Sequence, residues 1–197
     1  MWCRRAGSGS VRPAAAVPPD LDSATPVFET SLPASTDPLT ALVPAGELVE
    51  ALKAAGQTVA TAESLTAGLL AATIAGIPGA SAVLRGGLIV YATDLKHDLA
   101  GVSADTLATD GPVAASTAEQ LAVGARTTCG ADWGIGLTGV AGPDPQDGRE
   151  VGTVFLGIAG AEGTEVVRLK LSGDRWTIRV GSVRAAVAEL VRSIRGG

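Results

Sequence analysis

The chain has 197 residues, enough for one domain of ordinary size plus an extension, and 46% of them are hydrophobic, so a sizeable core can form. The formal net charge is −5, no run of basic residues could follow a phosphate backbone, and only 3% of residues are aromatic, which together exclude a nucleic-acid-binding surface. The two cysteines, Cys3 and Cys129, have no CxxC spacing and only a single histidine to join, so neither a zinc site nor a disulfide framework is expected and a reducing cytoplasm is the default location.

Residues 1–40 carry Pro13, Pro18, Pro19, Pro26, Pro33 and Pro38 among scattered Ser, Thr and Asp. Such a composition buries too little apolar surface to offset its ordering entropy, so a disordered leader is expected, or equally an over-long start assignment. Met1 to Arg5 has the look of a signal-peptide start, but the Gly-, Ser- and Pro-rich stretch that follows supplies no apolar segment, and secretion is not expected. A folded domain is expected over residues 41–197.

Leu48, Leu52 and Ala55 recur at helical spacing and end at Gly56, which suits a C-terminal cap. Thr58 to Ala62 reads as a buried strand, and a helix is expected from about Leu65 to Ala75. The twenty residues from Leu65 to Leu84 carry no charge, nominally the length of a membrane span, but Gly76 and Pro78-Gly79 break them into a short helix, a turn and a strand. No membrane association is expected. Val83 to Ala92 is the second strand; its paired Gly86-Gly87 marks a bulge or a close backbone approach that lets a ligand lie near the main chain.

Short helices follow around Lys96 and Leu107, then a longer one from Val113 to Thr128 behind Pro112. Asp132 to Thr138 is the third strand, leading into the Gly/Pro-rich stretch Thr138 to Gly148. Val151 to Ala159 and Thr164 to Leu171 form a hairpin. The last helix runs from about Asp174 to Arg195, with Trp176, Val180, Val183, Val187, Leu190 and Ile194 as its apolar stripe. That stripe is most simply core, and would otherwise serve a homodimer. Alternating helices and strands predict a single-domain three-layer α/β/α fold, and the late hairpin makes its β-sheet mixed.

In open α/β sheets ligands gather beyond the carboxyl ends of the strands, where Ser64, Tyr91 to Lys96 and Thr138 to Gly142 all fall. Ser64 stands where a strand passes to a helix, a position that suits an N-cap on local grounds and that also exposes an attacking hydroxyl to free N–H groups. His97 is the only histidine and reads as a surface residue, so Lys96, if burial lowers its pKa, is the better base. Tyr91 could relay a proton; as ordinary residues, Lys96 would be solvated and Tyr91 would pack at a strand end. Thr138 to Gly142 offers a nest of N–H groups and a hydroxyl for a phosphate. Glu63 could bond a backbone amide or a substrate hydroxyl. Asp144, Asp147 and Glu150 read as solvated carboxylates.

The segment Ala62-Glu63-Ser64-Leu65-Thr66-Ala67-Gly68-Leu69-Leu70 resembles the C-terminal domain of the CinA family, the competence/damage-inducible proteins, and its stand-alone amidohydrolase relatives. The likeness continues through Pro78 to Ser81, Arg85-Gly86-Gly87, Tyr91, Lys96, Thr138 to Pro143, Val151 to Val154 and Gly173-Asp174-Arg175. It covers about residues 44–195 and does not take in the N-terminal pyrophosphatase-like domain of full-length CinA proteins. The resemblance implies metal-independent, cofactor-free hydrolysis of the carboxamide of nicotinamide mononucleotide, with Ser64 as nucleophile assisted by Tyr91 and Lys96. It also implies substrate contacts from Glu63, Thr66, Gly68, Arg85, Gly86, Thr138, Gly139, Ala141 and Gly142. The alternatives are a nucleotide-binding or regulatory domain without turnover, and an amidohydrolase of another small amide. Where the family commonly has glycine this chain has Ala67, whose methyl is expected to crowd the substrate.

Overall fold

The structure, a computed structural model, describes residues 37–196. The leader expected over residues 1–40 therefore lies, through residue 36, outside the described residues. Its last residues depart from the expectation, because Asp37 caps a short helix, α1 (Pro38–Leu42), by accepting a hydrogen bond from the Leu39 N–H at 2.8 Å. Helix α2 (Ala45–Ala55) follows and closes on Gly56 in the left-handed conformation, as expected of a glycine cap.

The remaining order is β1 (Val59–Glu63), α3 (Leu69–Ala75), β2 (Leu84–Ile89), α4 (Thr93–Asp98), α5 (Ala104–Thr109), α6 (Ala115–Cys129), β3 (Trp133–Gly139), β4 (Thr153–Gly160), β5 (Gly163–Lys170) and α7 (Arg175–Ile194). The strands make one sheet in the order β2-β1-β3-β4-β5. The first three run parallel, while β4 and β5 are antiparallel additions, so the sheet is mixed.

Helices cover both faces. On one, Leu48 and Leu52 of α2, Leu70 and Ile74 of α3 and Ile178, Val183 and Leu190 of α7 pack on Val59, Ile135, Leu137 and Leu156. On the other, Leu121 and Ala125 of α6 meet Ala60 and Ala62, with Val90 and Val102 beside them. Helix α6 lies unusually close to the strands because Gly134, Gly136 and Gly157 have no Cβ; one added there would run into the main chain of Ala118 or Ala122. Successive strand residues face opposite sides of a sheet, so Thr61 and Glu63 point toward α3 while Ala62 and Ser64 point toward the α6 side.

Three local expectations need correction. Helix α3 begins at Leu69, four residues later than expected, and residues 64–68 form a turn. The register shift of β2 falls at Arg85, one residue before the expected Gly86-Gly87 pair, since Val59 pairs with Leu84 and Ala60 with Gly86. Gly87 serves a close approach of packing rather than of ligand, because a Cβ on it would come within 2.6 Å of Thr61 Oγ1 and 3.3 Å of Ala71 Cβ as α3 crosses the strand. The buried face of α7 is Ile178, Ser182, Val183, Ala186, Val187, Leu190 and Val191, leaving Trp176 at its amino end 47% exposed. Among the described residues no helix is long and apolar enough to cross a membrane.

Candidate active site

Strand β1 delivers Ser64 one residue past its end, where the Ser64 N–H still donates to the Leu137 carbonyl of β3 at 2.9 Å. The side chain then faces α4, the short helix that follows β2. Lys96 of α4 reaches back with Nζ 3.2 Å from Ser64 Oγ, 2.9 Å from the Val90 carbonyl and 3.3 Å from the Tyr91 carbonyl. It is only 2% exposed and belongs to none of the ion pairs among the described residues. Burial pushes the Lys96 pKa down from its ordinary value, with the charge of Asp94 acting in the other direction. Its three neighbours, two carbonyls and one hydroxyl, can all accept from it, and the Ser64 hydroxyl is the one that can also donate. Lys96 is thus neither solvated nor paired, and Ser64 is not an N-cap, since Gly68 holds that place for α3.

Glu63 is only 1% exposed and does not face the Ser64 cleft. Its Oε2 accepts from the Gly68 and Leu70 N–H groups, both at 3.0 Å, and its Oε1 accepts from the Ala71 N–H at 2.9 Å and the Thr61 hydroxyl at 3.0 Å. Of the two partners open to it from the sequence, backbone amides are the ones it takes. The consequence reaches the oxyanion question, because the N–H groups at the start of α3 are occupied by this carboxylate. The N–H groups of Leu65, Ala141 and Gly142, all beside the cleft, find no acceptor among the described residues. They replace the helix start as candidate oxyanion donors.

The cleft brings together Ser64, Tyr91 and Lys96 with Thr138, Gly139, Ala141 and Gly142, and it is a small cavity of about 100 Å³ that opens to solvent. Thr138 is fixed there by donating its hydroxyl to the Pro112 carbonyl at 2.6 Å. Besides Glu63, four of the substrate contacts that the resemblance implied fall elsewhere. Thr66 is fully buried, Gly68 caps α3, Arg85 donates to the Cys129 carbonyl at 3.1 Å, and Gly86 faces Cys129. The strand direction explains Arg85 and Gly86, which sit at the amino end of β2 while Ser64 is at the carboxyl end of its parallel neighbour. His97 bonds the Val102 carbonyl through Nδ1 at 2.7 Å, a local role. Among the described residues no three of His, Cys, Asp and Glu come together as a metal site.

Ala67 is exposed and lies outside the cleft, so its methyl does not enter the space beside Ser64. What distinguishes the position is its φ of +50°, the left-handed region that favours glycine. Ala67→Gly is expected to stabilise the protein by about 1 kcal/mol, raising Tm by about 2–4 °C, with ligand affinity unchanged. A lowered Tm in a thermal melt would show that the turn carries no strain.

Two arginines of α7 complete the surroundings of the cleft. Arg179 donates to the Leu65 carbonyl at 3.0 Å and the Thr66 carbonyl at 2.8 Å, bracing the turn that carries Ser64, and its guanidinium stacks 5.9 Å from the Trp176 ring centre. Arg175 lines the cleft and donates to the Gly142 carbonyl at 2.6 Å and the Tyr91 hydroxyl at 2.8 Å. Tyr91 is 54% exposed, and it meets Lys96 only through its carbonyl. Sequence reasoning assigns neither arginine a role; the one signal for their contacts is Gly173-Asp174-Arg175, a capped helix start following the hairpin.

A buried serine–lysine pair at the carboxyl ends of parallel strands, beneath a glycine-rich loop, defines a three-layer α/β domain whose cleft is equipped for nucleophilic chemistry. Residues 43–194 match the family model described as the CinA C-terminal domain, and the chain belongs to that family. It is 46% identical over 140 residues to a CinA-like protein of Frankia casuarinae, covering 71% of this chain and 32% of that relative. A putative competence-damage inducible protein of a Geobacillus species is 45% identical over 147 residues, which is 74% of this chain and 35% of the relative. The chain thus spans about a third of the length of these curated relatives. A CinA superfamily protein from Klebsiella pneumoniae superposes with a TM-score of 0.77 at 29% identity, covering 82% of this chain and 100% of that one. The competence/damage inducible protein CihA from Agrobacterium tumefaciens gives 0.74 at 32% identity, covering 84% and 99%.

Proposed function

We propose that this chain is a nicotinamide-nucleotide amidohydrolase, converting the carboxamide of nicotinamide mononucleotide to a carboxylate with release of ammonia. The observation that carries the reading is Lys96, buried without a carboxylate partner and 3.2 Å from the Ser64 hydroxyl. A buried lysine with a lowered pKa and no ion-pair partner has little structural value as a charge and real value as a base. The substrate comes from the resemblance of the Glu63 to Leu70, Tyr91 to Lys96 and Thr138 to Pro143 segments to the stand-alone amidohydrolases.

In the first half-reaction Ser64 Oγ attacks the carboxamide carbon as its proton passes to Lys96 Nζ. The tetrahedral oxyanion is held by N–H groups drawn from Leu65, Ala141 and Gly142. Lys96 then returns the proton to the nitrogen, the C–N bond breaks, and ammonia leaves an ester on Ser64. Water, giving a proton to Lys96, attacks that ester; the acid departs and Ser64 Oγ recovers its proton. Atoms balance as amide plus water giving carboxylic acid plus ammonia. The phosphate of such a substrate keeps it from crossing membranes unaided, which fits a cytoplasmic protein.

Ammonia release from nicotinamide mononucleotide by wild type and Ser64→Ala, side by side, tests the reading. Release by wild type and none above background by Ser64→Ala is the expected result. Saturable binding of the nucleotide with no ammonia from concentrated wild type would instead establish the non-catalytic alternative, and equal rates would remove Ser64 as nucleophile.

A further inference from the structure

The turn that carries Ser64 is held from two sides by opposite charges. Residues 64–68 link β1 to α3, and two of them lie in the left-handed region, Ala67 with φ +50° and Gly68 with φ +90°. On one side Glu63 takes the N–H groups of Gly68, Leu70 and Ala71. On the other, Arg179 of α7 donates from Nε to the Leu65 carbonyl at 3.0 Å and from a terminal nitrogen to the Thr66 carbonyl at 2.8 Å. The Thr66 carbonyl also accepts from the Leu69 N–H at 3.2 Å, whereas Arg179 is the one donor to the Leu65 carbonyl among the described residues. Leu65 is buried, so its carbonyl has little water to turn to instead. Arg179 belongs to none of the ion pairs among the described residues, and its guanidinium stacks on Trp176, one turn earlier in α7. Neither Arg179 nor Trp176 lines the cleft, so neither touches a substrate held beside Ser64.

Resting on the amidohydrolase reading, we propose that Arg179, steadied by Trp176, is a positioning residue: by holding the Leu65 and Thr66 carbonyls it fixes the Leu65 N–H as an oxyanion donor and Ser64 Oγ in line for attack. The main chain is the link. The Leu65 N–H belongs to the planar unit that joins Ser64 to Leu65, immediately before the Leu65 carbonyl, so a rotation that frees the carbonyl carries donor and nucleophile with it. A planar fork spanning two successive carbonyls fixes their relative orientation as a single point charge cannot. The face of Trp176 sets the plane of that fork, which accounts for a large ring left 47% exposed at the start of α7. Without the anchor, a turn with two left-handed residues has other conformations to relax into. An oxyanion donor acts only where charge develops, so a displaced Leu65 N–H weakens binding of the transition state and leaves binding of the substrate alone.

Two rates test the role together: steady-state ammonia release from nicotinamide mononucleotide, and covalent labelling of Ser64 by an alkyl fluorophosphonate, followed by intact mass. In the labelling step Ser64 Oγ bonds phosphorus as its proton passes to Lys96 and fluoride leaves, a reaction that draws on the same N–H donors and not on the natural substrate. Ser64→Ala, which takes no label, is the control. Arg179→Gln is expected to lower kcat about a hundredfold, with KM within about twofold of wild type, and to slow labelling in proportion. Arg179→Lys, which keeps the charge and loses the fork, is expected to lower kcat about tenfold, and Trp176→Leu about threefold, KM again unmoved. In Arg179→Ala, guanidinium ion far below its denaturing range is expected to restore kcat to at least about a tenth of wild type, and ammonium ion to restore none. The same ion is expected to leave the Tm of that variant where it was, so that the recovery is one of alignment and not of folding. Wild-type kcat in Arg179→Gln, a defect confined to KM, or guanidinium raising Tm and kcat together would overturn the proposal, while ammonia release by wild type would keep the amidohydrolase reading. Wild type that releases no ammonia yet takes the label, and takes it more slowly as Arg179→Gln, would remove that reading and leave the positioning role standing. Wild type that does neither removes both.

Discussion

Glu63→Gln is expected to destabilise the protein by about 3–5 kcal/mol, although it changes one atom and no shape. Both carboxylate oxygens accept two hydrogen bonds each, from Gly68 N–H and Leu70 N–H on Oε2 and from Ala71 N–H and Thr61 Oγ on Oε1. An amide must put an NH2 group at one of those oxygens, where it meets two donors and can accept from neither. Each buried donor so stranded costs roughly 1–3 kcal/mol, and the first turn of α3 has no other cap, because Gly68 brings no side chain. Loss of the turn also releases Ser64 from its place against Lys96, so activity should fall with stability. Urea unfolding monitored by circular dichroism measures the effect, and a loss under about 1 kcal/mol would show that the carboxylate is dispensable. Thr61→Val, which removes one of the four donors, should cost about 1 kcal/mol.

The roles of Glu63 and Ser64 show how much of the site is legible in the residues themselves. Their opposite directions follow from strand periodicity alone, since adjacent residues at the end of β1 cannot both face the cleft. With Ser64 on the cleft side, periodicity by itself assigns Glu63 to the α3 side. The layered fold is legible for a related reason, as runs alternating between the two periodicities leave few arrangements that bury both sets of faces. Lys96 and the Thr138 to Gly142 loop are legible as strand-end segments, because parallel strands gather their carboxyl ends at one edge. The helix start is not, since Leu65 and Thr66 suit a helix as well as a turn, and only the demand of Glu63 for the Gly68, Leu70 and Ala71 N–H groups sets it at Leu69.

Arg175 and Arg179 are less legible still, for a reason of distance along the chain. Arg175 meets Tyr91 across 84 positions, and Arg179 meets Leu65 across 114. No periodicity within α7 distinguishes an arginine that reaches over the sheet edge from one in solvent. The apolar stripe departs from its expected role at its first residue for the same reason. Trp176 continues the helical spacing but lies beyond the edge of the sheet, where its face serves as a platform for Arg179 instead of core.

Lys96→Met separates the two consequences of a buried lysine. Methionine fills a similar volume without a charge or a proton to exchange, so ammonia release should fall by about 10³-fold or more, the scale set by removing the general base of a nucleophilic step. In wild type the rate should rise with pH as Lys96 loses its proton, through a pKa below the ordinary 10.5. Stability should move in the same sense. Below the folded-state pKa, Lys96 is charged in both states and the full cost of burying that charge weighs on the fold. Between that pKa and 10.5 the unfolded chain holds one more proton than the folded chain, so wild type gains about 1.4 kcal/mol per pH unit relative to Lys96→Met. Above 10.5 both states are neutral and the gap is constant. Urea midpoints of the two proteins across this range should therefore shift in favour of Lys96→Met as pH is lowered, and in the same window where wild-type activity declines. A gap that stays flat with pH would mean that Lys96 carries its charge in the folded protein as readily as in water, and would remove it as the base.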